Sequence, residues 1–239
     1  MNVAVIFAGG VGKRMNSQST PKQFLKLHGK PIIIYTLEVF QNSSDVDAIC
    51  ISCLGTHIEY MRSLCQEFGI SKVRWIVEGG ASGQESIFNG LSAVHADCPA
   101  DTVVMMHDGV RPIISTDLIR RNVESVLRYG NAVSCSRATE TPAEVDEDGR
   151  ICKISDRSVA VIAKAPQSFY LQDIFCAHLK SKELGLADFI DSASMMCYYG
   201  HELHMVESPW DNIKITTPSD FYIFKAIIEA KENSQIFGL

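Results

Sequence analysis

The chain has little that would suit a membrane, a secretory route or a nucleic-acid surface. No apolar run in its 239 residues approaches the ~20 that a bilayer-spanning helix needs, and the opening MNVAVIFAGG lacks a signal peptide's charged-then-apolar layout. Basic residues are in the minority, 22 Lys+Arg against 28 Asp+Glu for a formal net charge of −6, which argues against a general nucleic-acid binder. Internal repeats, low-complexity tracts and linker-like stretches are missing too, so the expectation is one domain over 1–239. The seven histidines are scattered without a metal-like pair, and neither a G-x-S-x-G elbow nor an evident Cys/His couple occurs. Eight cysteines are present, but Cys50, Cys53, Cys98, Cys135 and Cys176 lie in or beside apolar runs typical of buried elements. Cys50 and Cys53 form a C-x-x-C inside the strand-like AICISCLG with no second pair downstream, so buried free thiols are expected rather than a zinc or redox centre. The expected location is the cell interior, the cytoplasm.

Short apolar, β-branched runs at 3–7, 48–53, 73–77, 102–107 and 131–135 alternate with helix-period segments near 31–40, 57–68, 84–96 and 116–129. Such alternation predicts an α/β fold with a mostly parallel sheet and helices on both faces. Pro31 suits a first helical turn, and Ser115-Thr116 supplies an N-cap. Residues 138–156, ATETPAEVDEDGRICKISD, break the rhythm with alternating patterning around an Asp146-Glu147-Asp148-Gly149 turn, which predicts a protruding β-hairpin. It has too few large apolar residues for a central layer, so it is either a solvated surface hairpin or an arm that docks on a second subunit. Beyond it come a helix near 171–182, a strand near 203–207 and a terminal helix whose Thr217, Pro218 and Asp220 match N-cap, N1 and N3.

Ligands of a parallel α/β sheet bind beyond the carboxyl ends of its strands, and four polar clusters fall at such ends. The first is FAGGVGKRM, residues 7–15. It fails two common phosphate motifs: Phe7 stands where a Walker loop needs its first glycine, and Met15 where a dinucleotide fingerprint needs its third. Even so, Ala8, Gly9 and Gly10 let backbone N–H groups approach a phosphate or base, and Arg14 and Lys22 bring two cations to the same loop. The second is HDGVRP at 107–112, where Asp108 suits Mg²⁺ and Arg111 can pair with an oxyanion, or can simply pin the loop through an Asp–Arg pair. In the third, GGASGQES at 79–86, Gly79, Gly80 and Ser86 could contact a base or ribose. The fourth is DNIKIT at 211–216, which predicts a strand with Lys214 opposite its apolar neighbours; a solvated lysine is the plainer alternative. Arg, Lys, Asp and backbone amides are the groups of phosphoryl or nucleotidyl transfer, and an already ionised phosphate nucleophile needs no histidine base.

Taken together, AGGVGKRM…PKQF, GG…S, HDGVRP, PQSF and NIKIT, in that order over nearly the full length, resemble the polyol-phosphate cytidylyltransferases. That family contains 2-C-methyl-D-erythritol 4-phosphate cytidylyltransferase and ribitol-5-phosphate cytidylyltransferase. The resemblance implies a Rossmann-like nucleotidyltransferase fold and transfer of CMP from CTP to a polyol phosphate, with Mg²⁺, giving a CDP-polyol and pyrophosphate. It implies catalytic roles for Arg14, Lys22 and Lys214 at the phosphates, and metal contacts from Asp108 with Asp211 as a helper. Ala8, Gly9, Gly10, Gly80 and Ser86 would receive the nucleotide, with Arg111 shaping the site. A homodimer is implied too, formed through the arm at about 137–158, with Thr141 and Arg157 reaching the partner's acceptor site beside Ala165. Three departures touch the acceptor's surroundings: Gly83 where the family usually has arginine, Pro142 directly after Thr141, and Ala165 where TPQ is usual. PKQFLKLHGKPIIIYTLEVF and HDGVRP look closer to the pentitol-phosphate branch, with ribitol 5-phosphate as an example. The alternatives are the methylerythritol-phosphate enzyme of isoprenoid synthesis, a uridylyl- or guanylyl-transferring relative, and a nucleotide-binding module without turnover.

Overall fold

The computed structural model describes residues 1–10, 20–186 and 189–237. The chain opens with β1 (Asn2–Ala8) and a small ribbon of β2 (Lys26–Leu27) and β3 (Lys30–Pro31). There follow α1 (Ile32–Asn42), β4 (Ala48–Cys53), α2 (Ile58–Glu67), β5 (Val73–Glu78), α3 (Gly83–Asp97), β6 (Val103–Asp108), α4 (Thr116–Tyr129) and β7 (Asn131–Arg137). After β8 (Ala143–Val145) and β9 (Ile151–Ile154), the chain returns through β10 (Val161–Tyr170), α5 (Leu171–Glu183), α6 (Ser192–Tyr198), β11 (Met205–Glu207) and α7 (Pro218–Phe237). The main sheet has seven strands in the order β11-β7-β10-β6-β1-β4-β5. Only β10 is antiparallel to its neighbours, so the other strands end at the same edge.

The near-continuous apolar runs of β1, β4 and β6 are explained by burial on both faces. Ala4, Ile6, Ile49, Ile51 and Met105 pack with Leu37 and Phe40 of α1, Met61 of α2 and Leu118 of α4. On the opposite face, Val3, Val5, Cys50, Val104 and Met106 meet Leu91 and Val94 of α3, Ile174 of α5 and Met195 of α6. Cys50 and Cys53 therefore belong to different layers, because residues three apart on a strand point to opposite faces. Burial pushes their thiols up to about 12 and about 11, so neither is a ready thiolate, in line with inert core cysteines.

Local signals behave as expected at the helix ends. Ser115 Oγ accepts from Leu118 N at 3.2 Å, and Gly130 closes α4 at φ +83°. Asp220 Oδ2 accepts from Thr216 N and Thr217 N, both at 2.8 Å, while Asp220 N donates to Thr217 Oγ1 at 3.4 Å. The hairpin forms as β8 and β9 about a turn with Gly149 at φ +78°, and both of its strands are fully exposed.

Three features differ from the sequence expectation. Residues 211–216 are not a strand. They cross the carboxyl edge of the sheet, where Ile215 N donates to Val110 O and Ile215 packs with Phe224 and Ile32, so backbone and side chain are satisfied without a sheet neighbour. The segment KAPQSFY, left without an assignment in the sequence, forms most of β10, and DSASMMCY forms the cap and body of α6. Proline at 166 breaks the propensity signal for β10, and the register with β7 indeed shifts between Ala163 and Gln167.

Two predictions follow from this packing. Helix α3 crosses β1 at Gly90, where a Cβ would lie 2.8 Å from Val5 Cγ1. Alanine gains about 1 kcal/mol in helix propensity, but overpacking costs about 1–3 kcal/mol. Gly90→Ala is expected to lower the urea midpoint despite the better helix former, and a raised midpoint would mean that the α3–β1 contact is loose. Burial also pushes His107 on β6 and His178 on α5 down to about 4. An unfolded imidazole takes a proton near 6.5, so each residue's contribution is complete above that value and is lost as pH falls toward 4. Each is worth up to about 1.4 kcal/mol per pH unit in that window. Urea unfolding at pH 7, 6 and 5 should show a shallower decline for His178→Gln than for the wild type.

Candidate active site

The site grows from the common carboxyl edge of the parallel strands. Phe7 sits beside Asp108, and Ala8 beside Cys53, so β1, β4 and β6 deliver their last residues side by side. Close approach at this edge needs residues without side chains. A Cβ on Gly109 would lie 2.5 Å from Ile33 Cδ1, and one on Gly9 would lie 2.9 Å from Ser86 Oγ. Ser86, one turn into α3, donates to Ser82 O at 2.9 Å and accepts from Gly80 N at 3.0 Å, which folds the Gly79–Gly80 turn against Gly9. Gln23 donates to Ala8 O at 2.7 Å and anchors the end of β1 from the other side.

Asp108 is the charged centre. Lys214 Nζ lies 2.6 Å from Oδ1, and Arg111 Nε and Nη2 both lie 3.2 Å from Oδ2. Burial opposes ionisation, but Arg111 and then Lys214 outweigh it and hold the carboxyl below the ordinary carboxylate range. Its neighbour His107 gives a ring nitrogen to Arg111 O at 3.1 Å, and burial, followed by the Arg111 charge, keeps the imidazole neutral.

Residues 208–215 tie the surrounding cations together. Arg111 Nη1 donates to Asn212 O at 2.7 Å, Lys22 Nζ to Ile215 O at 3.2 Å, and Lys164 Nζ to Trp210 O at 2.8 Å. Asn212 is completely buried and returns two hydrogen bonds, to Ala165 O at 2.8 Å and Ser208 Oγ at 3.0 Å.

Two cavities meet at this centre. One, of about 190 Å³, is lined by Ala8, Gly9, Gly10, Lys22, Gly80 and Ser86. The other, of about 250 Å³, is lined by Arg111, Lys164, Ala165, Gln167, Asp191 and Met195. Phe7, Gly83, Asp108 and Lys214 border both. The sequence-predicted residues are thus brought together, with one redistribution: Arg111, grouped with the nucleotide contacts, faces the larger cavity and already spends donors on Asp108 and Asn212. Arg14 lies outside the described residues.

Others stand apart. Asp211 borders neither cavity, although its charge is felt at Lys164. Thr141 and Arg157 on the hairpin also border neither, and Arg157 Nη1 reaches Thr139 O at 3.3 Å at the arm's root. Sequence reasoning missed Gln23, Lys164, Gln167 and Asn212 as site builders. The signal available was a run of polar residues inside PKQF, KAPQ and DNIK, but nothing local reveals that they converge.

Among the described residues no cluster of three His, Cys, Asp or Glu side chains could hold a metal. The single carboxylate at the junction, Asp108, fits an ion that takes its remaining oxygens from phosphates and water, the usual habit of Mg²⁺.

Residues 2–230 match the IspD family model, described as 2-C-methyl-D-erythritol 4-phosphate cytidylyltransferase. The chain is 48% identical over 239 residues, all of both chains, to a ribitol-5-phosphate cytidylyltransferase of Streptococcus agalactiae. It is 36% identical to a 2-C-methyl-D-erythritol 4-phosphate cytidylyltransferase of Clostridium botulinum, over 95% of this chain and 97% of that one. The structure superposes on 4-diphosphocytidyl-2C-methyl-D-erythritol synthase from Anaerococcus prevotii with a TM-score of 0.82 at 20% identity, covering 95% and 96% of the two chains. A chain matched by one family model over residues 2–230, with that family's fold and with its strand-end motifs gathered around one buried carboxylate, belongs to the IspD family of cytidylyltransferases.

Proposed function

We propose that this protein transfers CMP from CTP to a pentitol phosphate such as ribitol 5-phosphate, giving the CDP-polyol and pyrophosphate. The observation that carries this reading is the pair of cavities joined at Asp108 and Lys214, one lined mainly by small residues with Lys22, the other carrying Arg111 and Lys164 among apolar and polar side chains. The ribitol-5-phosphate relatives at 48% identity favour the pentitol acceptor. The family description and the 36%-identical relatives favour methylerythritol phosphate as the second reading.

In the proposed reaction an oxygen of the acceptor's phosphate dianion attacks the α-phosphorus of CTP. A new P–O bond forms, the bond to the bridging oxygen breaks, and pyrophosphate leaves with its electron pair. The phosphomonoester is already ionised, so no proton has to be removed. The Ala8–Gly10 segment with Gly80 and Ser86 receives the nucleotide. Arg14 and Lys22 hold the α-phosphate and leaving pyrophosphate, Lys214 bridges the phosphates, and Arg111 keeps Asp108 ionised. Asp108 would hold Mg²⁺, with Asp211 as an outer helper, and the ion would supply charge neutralisation at the phosphates. The unit is a single nucleotidyltransferase domain spanning 1–239, working in the cytoplasm, where its free thiols suit a reducing compartment.

The arm at about 137–158 is assigned to a homodimer. Val145, Ile151 and Ile154 of the arm are each at least 60% exposed, apolar surface that a partner subunit would cover. In the dimer, Thr141 and Arg157 contact the acceptor beside Ala165 of the partner.

Pyrophosphate release with CTP and Mg²⁺ against ribitol, ribulose, xylulose and methylerythritol phosphates tests the acceptor. The highest kcat/KM is expected with ribitol 5-phosphate, and preference for methylerythritol phosphate would transfer the assignment to the second reading. Lys22→Ala is expected to lower kcat by about 10²–10³ while CTP still binds. The arm has its own test in subunit mixing. Lys22→Ala and Arg157→Ala, each impaired alone, should recover about a quarter of wild-type activity when refolded together, since each hybrid dimer would hold one intact site. No recovery with hybrids present would show that each arm serves its own subunit.

A further inference from the structure

Lys164 is the cation of the larger cavity that the fold leaves without a carboxylate partner. Arg111 and Lys214 share Asp108, whereas no carboxylate oxygen among the described residues lies within 4.0 Å of Lys164 Nζ. Among the described residues its ammonium donates to two backbone carbonyls alone, Pro209 O at 3.3 Å and Trp210 O at 2.8 Å. An ammonium has three protons, so one donor remains. Burial first, and then the nearby Arg111 charge, pulls its proton affinity below the ordinary lysine range, with Asp211 opposing. Holding two cations close together in a half-buried wall is unfavourable unless an anion sits between them.

The backbone explains how the side chain reaches this place. Successive residues of a regular strand face opposite sides, yet Lys164 and Ala165 both line the larger cavity. The register of β10 against β7 shifts between Ala163 and Gln167, which breaks the alternation there. Asn212 donates to Ala165 O at 2.8 Å and belongs to the same segment that accepts from Lys164, so the irregular stretch is held on both sides.

We propose that Lys164 is a specificity-determining residue that binds the phosphate of the acceptor, together with Arg111, and selects a phosphorylated polyol over the free polyol. This inference rests on the acceptor reading of the larger cavity. The ammonium and guanidinium contact the non-attacking oxygens of the phosphomonoester, leaving the third oxygen free to approach CTP.

Two measurements separate the parts of this claim. With the nucleotide cavity filled by α,β-methylene-CTP, calorimetry should show inorganic phosphate binding about 10- to 100-fold weaker in Lys164→Met than in the wild type, the range for one charged hydrogen bond. Lys164→Arg should retain most of the affinity. In steady-state assays of pyrophosphate release, Lys164→Met should raise KM for the polyol phosphate by a similar factor and leave KM for CTP unchanged. Equal phosphate binding in wild type and Lys164→Met, or equal rises in both KM values, would overturn the inference. A wild-type enzyme that binds phosphate through Lys164 but turns over no polyol phosphate would overturn the acceptor reading and leave Lys164 as an anion site.

Discussion

A buried carboxylate that two cations share is the constraint on which the site depends. Asp108 is 5% exposed, and each of its oxygens is engaged, one by Lys214 and the other by Arg111. A lone carboxylate in that position would be protonated or would not be tolerated, and removing one partner of a buried pair costs about 3–5 kcal/mol. The half of the arrangement made by Arg111 is the deeper one, because Lys214 is 42% exposed and its attraction is screened by water. That asymmetry has a functional sense. Arg111 holds the carboxylate in place and ionised, while the more exposed Lys214 would, in the proposed reaction, exchange the carboxylate for a phosphate.

The same constraint explains why residues 208–215 follow an irregular path across the sheet edge. Their carbonyls satisfy Lys22, Arg111 and Lys164, and Asn212 fastens them to Ala165. Three cations from three distant parts of the chain are thereby oriented by one segment, and they face two adjoining cavities. At Lys164 the carbonyl oxygens orient the cation without neutralising it, which preserves its attraction for an incoming anion, whereas Arg111 also meets the Asp108 carboxylate. A segment built as a strand would have offered these carbonyls to a neighbouring strand instead.

The framework was legible because it depends on period. Apolar β-branched runs alternating with capped helices identify β1, β4, β5, β6 and β7 and the helices between them, and short-range signals such as Thr217-Pro218-x-Asp220 mark where helices begin. The hairpin was legible from its turn for the same reason. The failures have a common cause. DNIKIT alternates like a strand, but its alternation reflects Ile215 packing with Ile32 and Val110 and Lys214 reaching Asp108, contacts made with segments about a hundred residues or more away. The antiparallel return of β10 was hidden by the proline within it, since only pairing with β6 and β7 can override that local preference.

Among candidate site residues, the sequence by itself determined which strand ends carry small residues, cations and a carboxylate, because residue type and distance from a strand end are local properties. It also determined the family, through motifs spread over nearly the whole chain. The Asp108–Arg111 pair that pins the loop was legible too, since the two lie three residues apart. Only the tertiary structure decided that Lys214 would share Asp108, that Arg111 would face the second cavity, and that Lys164 would stand there with no carboxylate beside it among the described residues. Those outcomes turn on contacts that Lys214 and Lys164 make with residues far away in the chain, and distance in space, rather than in sequence, sets their strength.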